Sequence, residues 1–142
     1  MTNAHFGPAT PVLRVADLEA AIDYYSDRLG FALMWRSSIF ANVMRDDCQI
    51  FLAQGDQGGG CAWAWIGVPD VEALHREYRA REVKIRNPPT NYEWAMEMQV
   101  EDLDGNVLRM GSDFKPDQPL GDWLDAAGRH WQFREGSWRL MP

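Results

Sequence analysis

The sequence predicts an α+β protein made of two copies of one unit, a strand, a helix and three further strands, forming curved mixed sheets around a concave pocket. Two observations carry this. The stretch from Val15, "VADLEAAIDYYSDR", is repeated from Val68 as "VPDVEALHREYRAR". Each copy follows an apolar run and precedes three short apolar segments. The length, 142 residues, suits one domain with a single substantial core.

In the repeat, Asp17 matches Asp70, Glu19 matches Glu72, Ala20 matches Ala73, Tyr25 matches Tyr78 and Arg28 matches Arg81. Each aspartate can cap a helix N-terminus, and each glutamate then sits in a first turn that the helix dipole favours. Leu18, Ile22, Tyr25 and Leu29 recur at helical spacing in the first copy, and Val71, Leu74 and Tyr78 in the second. Gly30 is a natural stop for the first helix. The second copy has Glu82 and Val83 at that place, so its stop is less marked.

The strands expected after the first helix are "FALMWR", "IFANVMR" and "CQIFLAQ", and after the second "VKI", "WAMEMQV" and "NVLRM". Module one spans about residues 8–54, a glycine-rich linker 55–60, module two 61–112, and a C-terminal extension 113–142. "NPPTNYE", Asn87 to Glu93, reads as a loop. In the extension Asp122 can cap a short helix through Ala127, ended by Gly128, with Trp123, Trp131 and Trp138 packing as a flap over the domain or a partner.

Strand alternation separates the faces. A two-residue turn at Asp46-Asp47 pairs Arg45 with Cys48, Val43 with Ile50 and Ala41 with Leu52, leaving Phe40 and Phe51 on the face away from the helix. A three-residue loop from Leu103 to Gly105 sets Val100 opposite Leu108 and Met98 opposite Met110. Arg109 then faces Gln99, with Glu97 diagonal to it. In "CAWAWIG" the small and aliphatic residues fit beneath a helix, so Trp63 and Trp65 take the other face. The concave lining becomes Phe40, Phe51, Trp63, Trp65, Gln99 and Arg109: an aromatic wall with a few polar handles, as small-molecule pockets tend to be. Such aromatics also fill cores and dimer interfaces, but an arginine between tryptophans makes a poor dry core.

Lys and Arg number 14 against 21 Asp and Glu, a net charge of −7. That disfavours nucleic acid, which needs a basic footprint, and mildly favours a cationic ligand. No apolar run is long enough to span a bilayer. Without a secretory pattern, and with two cysteines and no CxxC, the expectation is a cytoplasmic protein with Cys48 and Cys61 reduced.

"TPVLRVADLEAAIDYYSDRLGF", "RDDCQIFLA", "AWAWIGVPDVEALHREY" and "DLDGNVLRMG" resemble the glyoxalase/bleomycin resistance/dioxygenase, or vicinal oxygen chelate, superfamily over roughly Pro11 to Gly111. "VMRDDCQIFLA" followed by "AWAWI" is particularly similar to its bleomycin-binding resistance proteins. The resemblance implies paired βαβββ modules. It also implies a homodimer that exchanges an N-terminal arm near Pro11 and sequesters a drug in two grooves between subunits, without catalysis. Planar rings would be cradled by Trp35, Phe40, Trp63 and Trp94. "LMWRSSIF" departs from those relatives, with Arg36 where they place acidic residues, so a planar ligand other than bleomycin fits too.

Enzymes of the superfamily hold a metal at four inward positions, which match Thr10, Phe51, Trp63 and Arg109. None is His or Glu, and Arg109 is a permanent cation. His5, His75 and His130 show no ligand spacing. The expectation is therefore no metal, no cofactor and no catalytic residue. The competing reading is a lyase- or dioxygenase-like enzyme acting without the usual metal site, with Glu97 and Arg109 as acid/base and anion-holding groups. A third is an orphan interaction domain.

Overall fold

The computed structural model describes residues 4–142. Module one runs β1 (Val12–Val15), α1 (Leu18–Asp27), β2 (Ala32–Arg36), β3 (Phe40–Arg45) and β4 (Cys48–Gln54). Module two repeats it: β5 (Trp63–Gly67), α2 (Val71–Ala80), β6 (Lys84–Asn91), β7 (Met96–Glu101) and β8 (Val107–Ser112). The sheets are ordered β1-β4-β3-β2 and β5-β8-β7-β6, each with one parallel pair, β1/β4 and β5/β8. The two open mixed sheets are the α+β architecture that the repeat predicts.

Both helices start as expected. The Asp17 carboxylate accepts the Ala20 N–H at 3.1 Å, and Asp70 accepts that of Ala73 at 3.0 Å. Gly30 leaves α1 at φ +81°, whereas after α2 that left-handed place is taken by Glu82 at φ +57°. Both hairpin registers hold, with Arg45 opposite Cys48 and Val100 opposite Leu108, and Gly105 is left-handed at φ +78°.

One core joins the modules, including Leu13, Tyr25, Ile50, Tyr78, Met98 and Leu108, all at most 1% exposed. Polar bonds fix the join. Tyr25 donates to Asp102 Oδ2 at 2.9 Å, and Tyr78 donates to the Leu29 carbonyl at 2.9 Å. Asp102 also accepts the backbone N–H groups of Asp104 and Asn106, which shapes the "DLDGN" loop. The helices and these contacts lie on one side of each sheet, and the aromatic residues of the strands lie on the other.

Two expectations need correction. Asn87 to Asn91 is not loop but the second half of β6, an edge strand with register breaks around Asn87 and Thr90. Pro88 and Pro89 are tolerated because an edge strand does not need every N–H. The extension is also not helical after Asp122. It forms a third sheet, β11-β10-β9, from β9 (Trp123–Leu124), β10 (His130–Arg134) and β11 (Ser137–Leu140). Asp125 accepts the N–H groups of Ala127 and Arg129, so "DAAGR" is a turn, and Gly128 is left-handed at φ +81°. Glu135 and Gly136, at φ +53° and +78°, make the second turn. A helix of so few residues could not outweigh these closures.

Candidate functional site

The predicted residues fall into two groups on two sheets. On module one, β2, β3 and β4 bring Trp35, Phe40 and Phe51 together. Trp35 stacks on Phe40 at 5.7 Å and 16°, and Phe51 tilts against Phe40 at 5.2 Å. Trp35 is 50% exposed. Between them, opposite both Trp35 and Phe51, is Asn42, only 8% exposed, and its Oδ1 is buried with no hydrogen-bond partner among the described residues. A buried acceptor of this kind is costly unless something donates to it.

On module two, β5, β7 and β8 bring Trp63, Trp65, Glu97, Gln99 and Arg109 onto one face. Arg109 reaches Glu97 through Nε at 3.0 Å and Nη2 at 3.2 Å. Glu97 also accepts the indole N–H of Trp65 at 3.2 Å and that of Trp94 at 2.6 Å. A single buried carboxylate thereby orients an arginine and two tryptophans. Trp65 and Trp94 flank a recess of about 400 Å³, with Gly111 in its wall.

The extension lies on this face. Trp123 packs under the Arg109 guanidinium at 4.7 Å and against Trp63 at 6.1 Å, with Tyr92 edge-on at 5.7 Å. Gln99 donates to the Leu124 carbonyl at 3.0 Å. Arg86 of β6 donates to the Asp125 carbonyl at 2.5 Å and to Gln99 Oε1, and lies over the Trp63 ring at 5.3 Å. The face expected to stand open in one concavity with Phe40 and Phe51 is thus covered within the chain.

A larger cleft, about 790 Å³, opens elsewhere, between the β3–β4 turn, the end of β5 and α2. Of the predicted residues only Trp65 borders it. Its floor includes Ile66, Leu74 and Met110, and the Arg45–Glu77 ion pair, at 2.8 Å, borders it. Burial pushes the Cys48 thiol there above its usual pKa, which makes it a poor nucleophile.

The four positions that match metal ligands in the enzymes do not fit a metal. Phe51 and Trp63 offer no lone pair for a cation, and Arg109 brings a positive charge already paired with Glu97. Thr10 supplies one hydroxyl at most. No step through a metal can be derived from this donor set.

Three residues of the two faces escaped the sequence reading. Asn42 shares the face of Phe40 and Phe51, but an unpaired oxygen is invisible before packing is known. Arg86 was hidden by the broken register of β6. Trp123 was expected only as packing, and its place beneath Arg109 needed the hairpin.

Comparison with solved structures gives the same fold. The bleomycin-binding protein of bleomycin-producing Streptomyces verticillus, solved with copper(II)-bleomycin, is 28% identical. It has a TM-score of 0.65 and covers 79% of this chain and 99% of its own. The bleomycin resistance determinant encoded on transposon Tn5 is 19% identical, with TM-score 0.67, covering 76% and 98%. An antibiotic-binding protein from a Streptomyces species is 22% identical, with TM-score 0.66, covering 77% and 99%. No curated protein matches the chain in sequence. The model of the Glyoxalase/Bleomycin resistance protein/Dioxygenase superfamily matches residues 4–110, ending within β8. The chain belongs to that superfamily.

Proposed function

We propose that this protein binds and sequesters a small planar molecule and does not transform it. The observation that carries the reading is the module-one face. Stacked Trp35 and Phe40, with Phe51 beside them, surround the unpaired Asn42 oxygen. A flat heteroaromatic ring would stack on the aromatics, and an N–H on it would satisfy Asn42. The net charge of −7 favours a cationic form. That structurally similar proteins were solved with bleomycin, or are described as antibiotic-binding, supports the same class of ligand.

A homodimer is part of the proposal. Leu33, Met34, Trp35 and Ile39 are exposed on and beside the edge strand β2, where a second copy would cover them. β1 pairs with its own β4, and the exposed arm before Pro11, with Phe6 88% exposed, is the segment that exchange would lay on the partner. Sedimentation of the full chain reads the oligomeric state. Glu97, engaged by three side chains, has little capacity left to act as a base, which weighs against the enzyme reading. Turnover that survives chelator and is lost in Glu97→Gln would restore it.

The test is titration of bleomycin, copper(II)-bleomycin and smaller planar heterocycles against tryptophan fluorescence. Saturable quenching at about one ligand per groove, weakened about tenfold by Trp35→Ala, is the expected result. No quenching by any of the panel would remove the proposal.

A further inference from the structure

The C-terminal extension covers the module-two face with Trp123, Leu124 and Asp125. The superfamily match ends at residue 110, so residues 113–142 lie beyond it. What the extension puts on the module-two face is a flat ring followed by two carbonyl oxygens. The Trp123 ring packs between the Arg109 guanidinium and Trp63. The oxygens of Leu124 and Asp125 accept from Gln99 and Arg86. We propose that this face is a binding site for an aromatic ligand bearing a carboxylate or acyl oxygen, occupied in the free chain by Trp123, Leu124 and Asp125. The inference rests on the proposal that the sheet faces bind small molecules, and it names the ligand class for the second face.

The charge on the face selects the anion. The Arg86 side chain is 14% exposed, yet its hydrogen bonds go to neutral acceptors: Gln99 Oε1 and the two carbonyls. The nearest carboxylate is Glu101, 3.8 Å away and itself paired with Lys84 at 2.6 Å. Arg109 already has Glu97. A ligand carboxylate at the carbonyl positions would give Arg86 charge-assisted bonds, which are shorter and stronger than those to neutral oxygens. Displacing the extension is feasible because β9 is two residues long and pairs only with β10 of its own sheet. The ligand thus competes with a tethered segment, and its apparent affinity is the intrinsic one multiplied by the fraction of time the face stands open.

The experiment uses the full chain and two size-matched probes, indole-3-acetate and tryptamine, by calorimetry. Two variants loosen the extension. Trp123→Ala removes the ring. Gly121→Val puts a side chain where even a Cβ would collide with the Thr90 Cγ2 methyl, and leaves Trp123 intact. Both variants should bind indole-3-acetate about tenfold more tightly than the native chain, with no such gain for tryptamine. Adding Arg86→Gln should cancel the gain. On the native chain, saturating indole-3-acetate should speed amide exchange across 123–134. No gain in either variant, an equal gain for tryptamine, or exchange that stays unchanged or slows would overturn the proposal. Quenching by bleomycin-type ligands that depends on Trp35 and not on Arg86 would show the first reading standing when this one fails.

Discussion

Arg109 and Glu97 meet across neighbouring strands as a two-point ion pair, at 3.0 and 3.2 Å, and the carboxylate is 1% exposed. The pair is also the anchor for Trp65 and Trp94, whose indole N–H groups converge on Glu97. Removing one partner of a buried pair leaves the other uncompensated. Glu97→Ala should therefore cost about 3 kcal/mol, and Arg109→Leu a similar amount. Replacing both with leucine should recover much of the loss, because a buried pair of charges is itself costly to desolvate. Urea melts of the two single variants and the double variant form the cycle that checks this. Additive losses would show that the residues do not act as a pair.

Tyr25 joins the modules through Asp102, and burial holds its phenol well above the ordinary pKa, with the nearby Asp102 charge adding to the effect. Burial also pushes Tyr78 and Tyr92 up to about 12. In the unfolded chain these phenols ionise near 10. A raised folded pKa gives stability that is complete below the unfolded value and lost as pH climbs toward the folded one. Denaturation midpoints should thus stay level to about pH 9 and fall steeply between roughly 10 and 12. Tyr25→Phe should cost about 1–2 kcal/mol at neutral pH and make that alkaline fall shallower. A midpoint that does not move across the window would contradict it.

The fold was legible where the chain obeys one periodicity at a time. The repeat around Tyr25 and Tyr78 located both helices, and the segregation of Val100, Leu108, Met98 and Met110 selected the hairpin register that is observed. From that register followed the facing of Arg109 and Gln99 and the diagonal approach of Glu97. Legibility failed where backbone closures decide. Two prolines made β6 read as loop, since its bulged edge pairing leaves no clean alternation to find. Asp122 looked like a helix cap, while Asp125 and the left-handed Glu135-Gly136 pair were the residues that mattered. "QFREGSWRL" does carry a hairpin signal, alternating side chains about a turn glycine. The covering of Arg109 by Trp123 carries no local pattern, because it joins residues far apart in the chain.

Gly121 sets the height of the extension above β6. Its N–H donates to the Asn91 carbonyl at 2.8 Å, and a Cβ there would overlap Thr90. Gly121→Ala should cost about 1–3 kcal/mol, the usual range for forcing an extra carbon into packed structure. The loss should appear as a changed near-ultraviolet tryptophan signal with the far-ultraviolet signal kept, since the contact touches only the end of the edge strand β6 and neither helix. Thr90→Ala in the same chain should relieve part of the cost by removing the methyl that collides. If the methyl deletion brings no relief, the Gly121 contact is not what seats the extension.

Asn42 puts stability and binding in opposition. Its Oδ1 is buried with no partner among the described residues, beneath Trp35 and Phe51, so the fold carries a desolvated acceptor. Asn42→Leu keeps a similar volume and removes that acceptor, and it should raise stability by about 1 kcal/mol. Trp35→Ala, at a half-exposed position on an edge strand, should change stability by less than about 1 kcal/mol. Both should weaken the planar ligand that quenches the native chain: Trp35→Ala by loss of stacking, Asn42→Leu by loss of the acceptor for a ring N–H. Thermal melts and ligand titrations on the same samples separate the two effects. Asn42→Leu that is more stable and binds as well as the native chain would mean that the ligand does not use this oxygen, and that the strain beneath the aromatic face serves some other purpose.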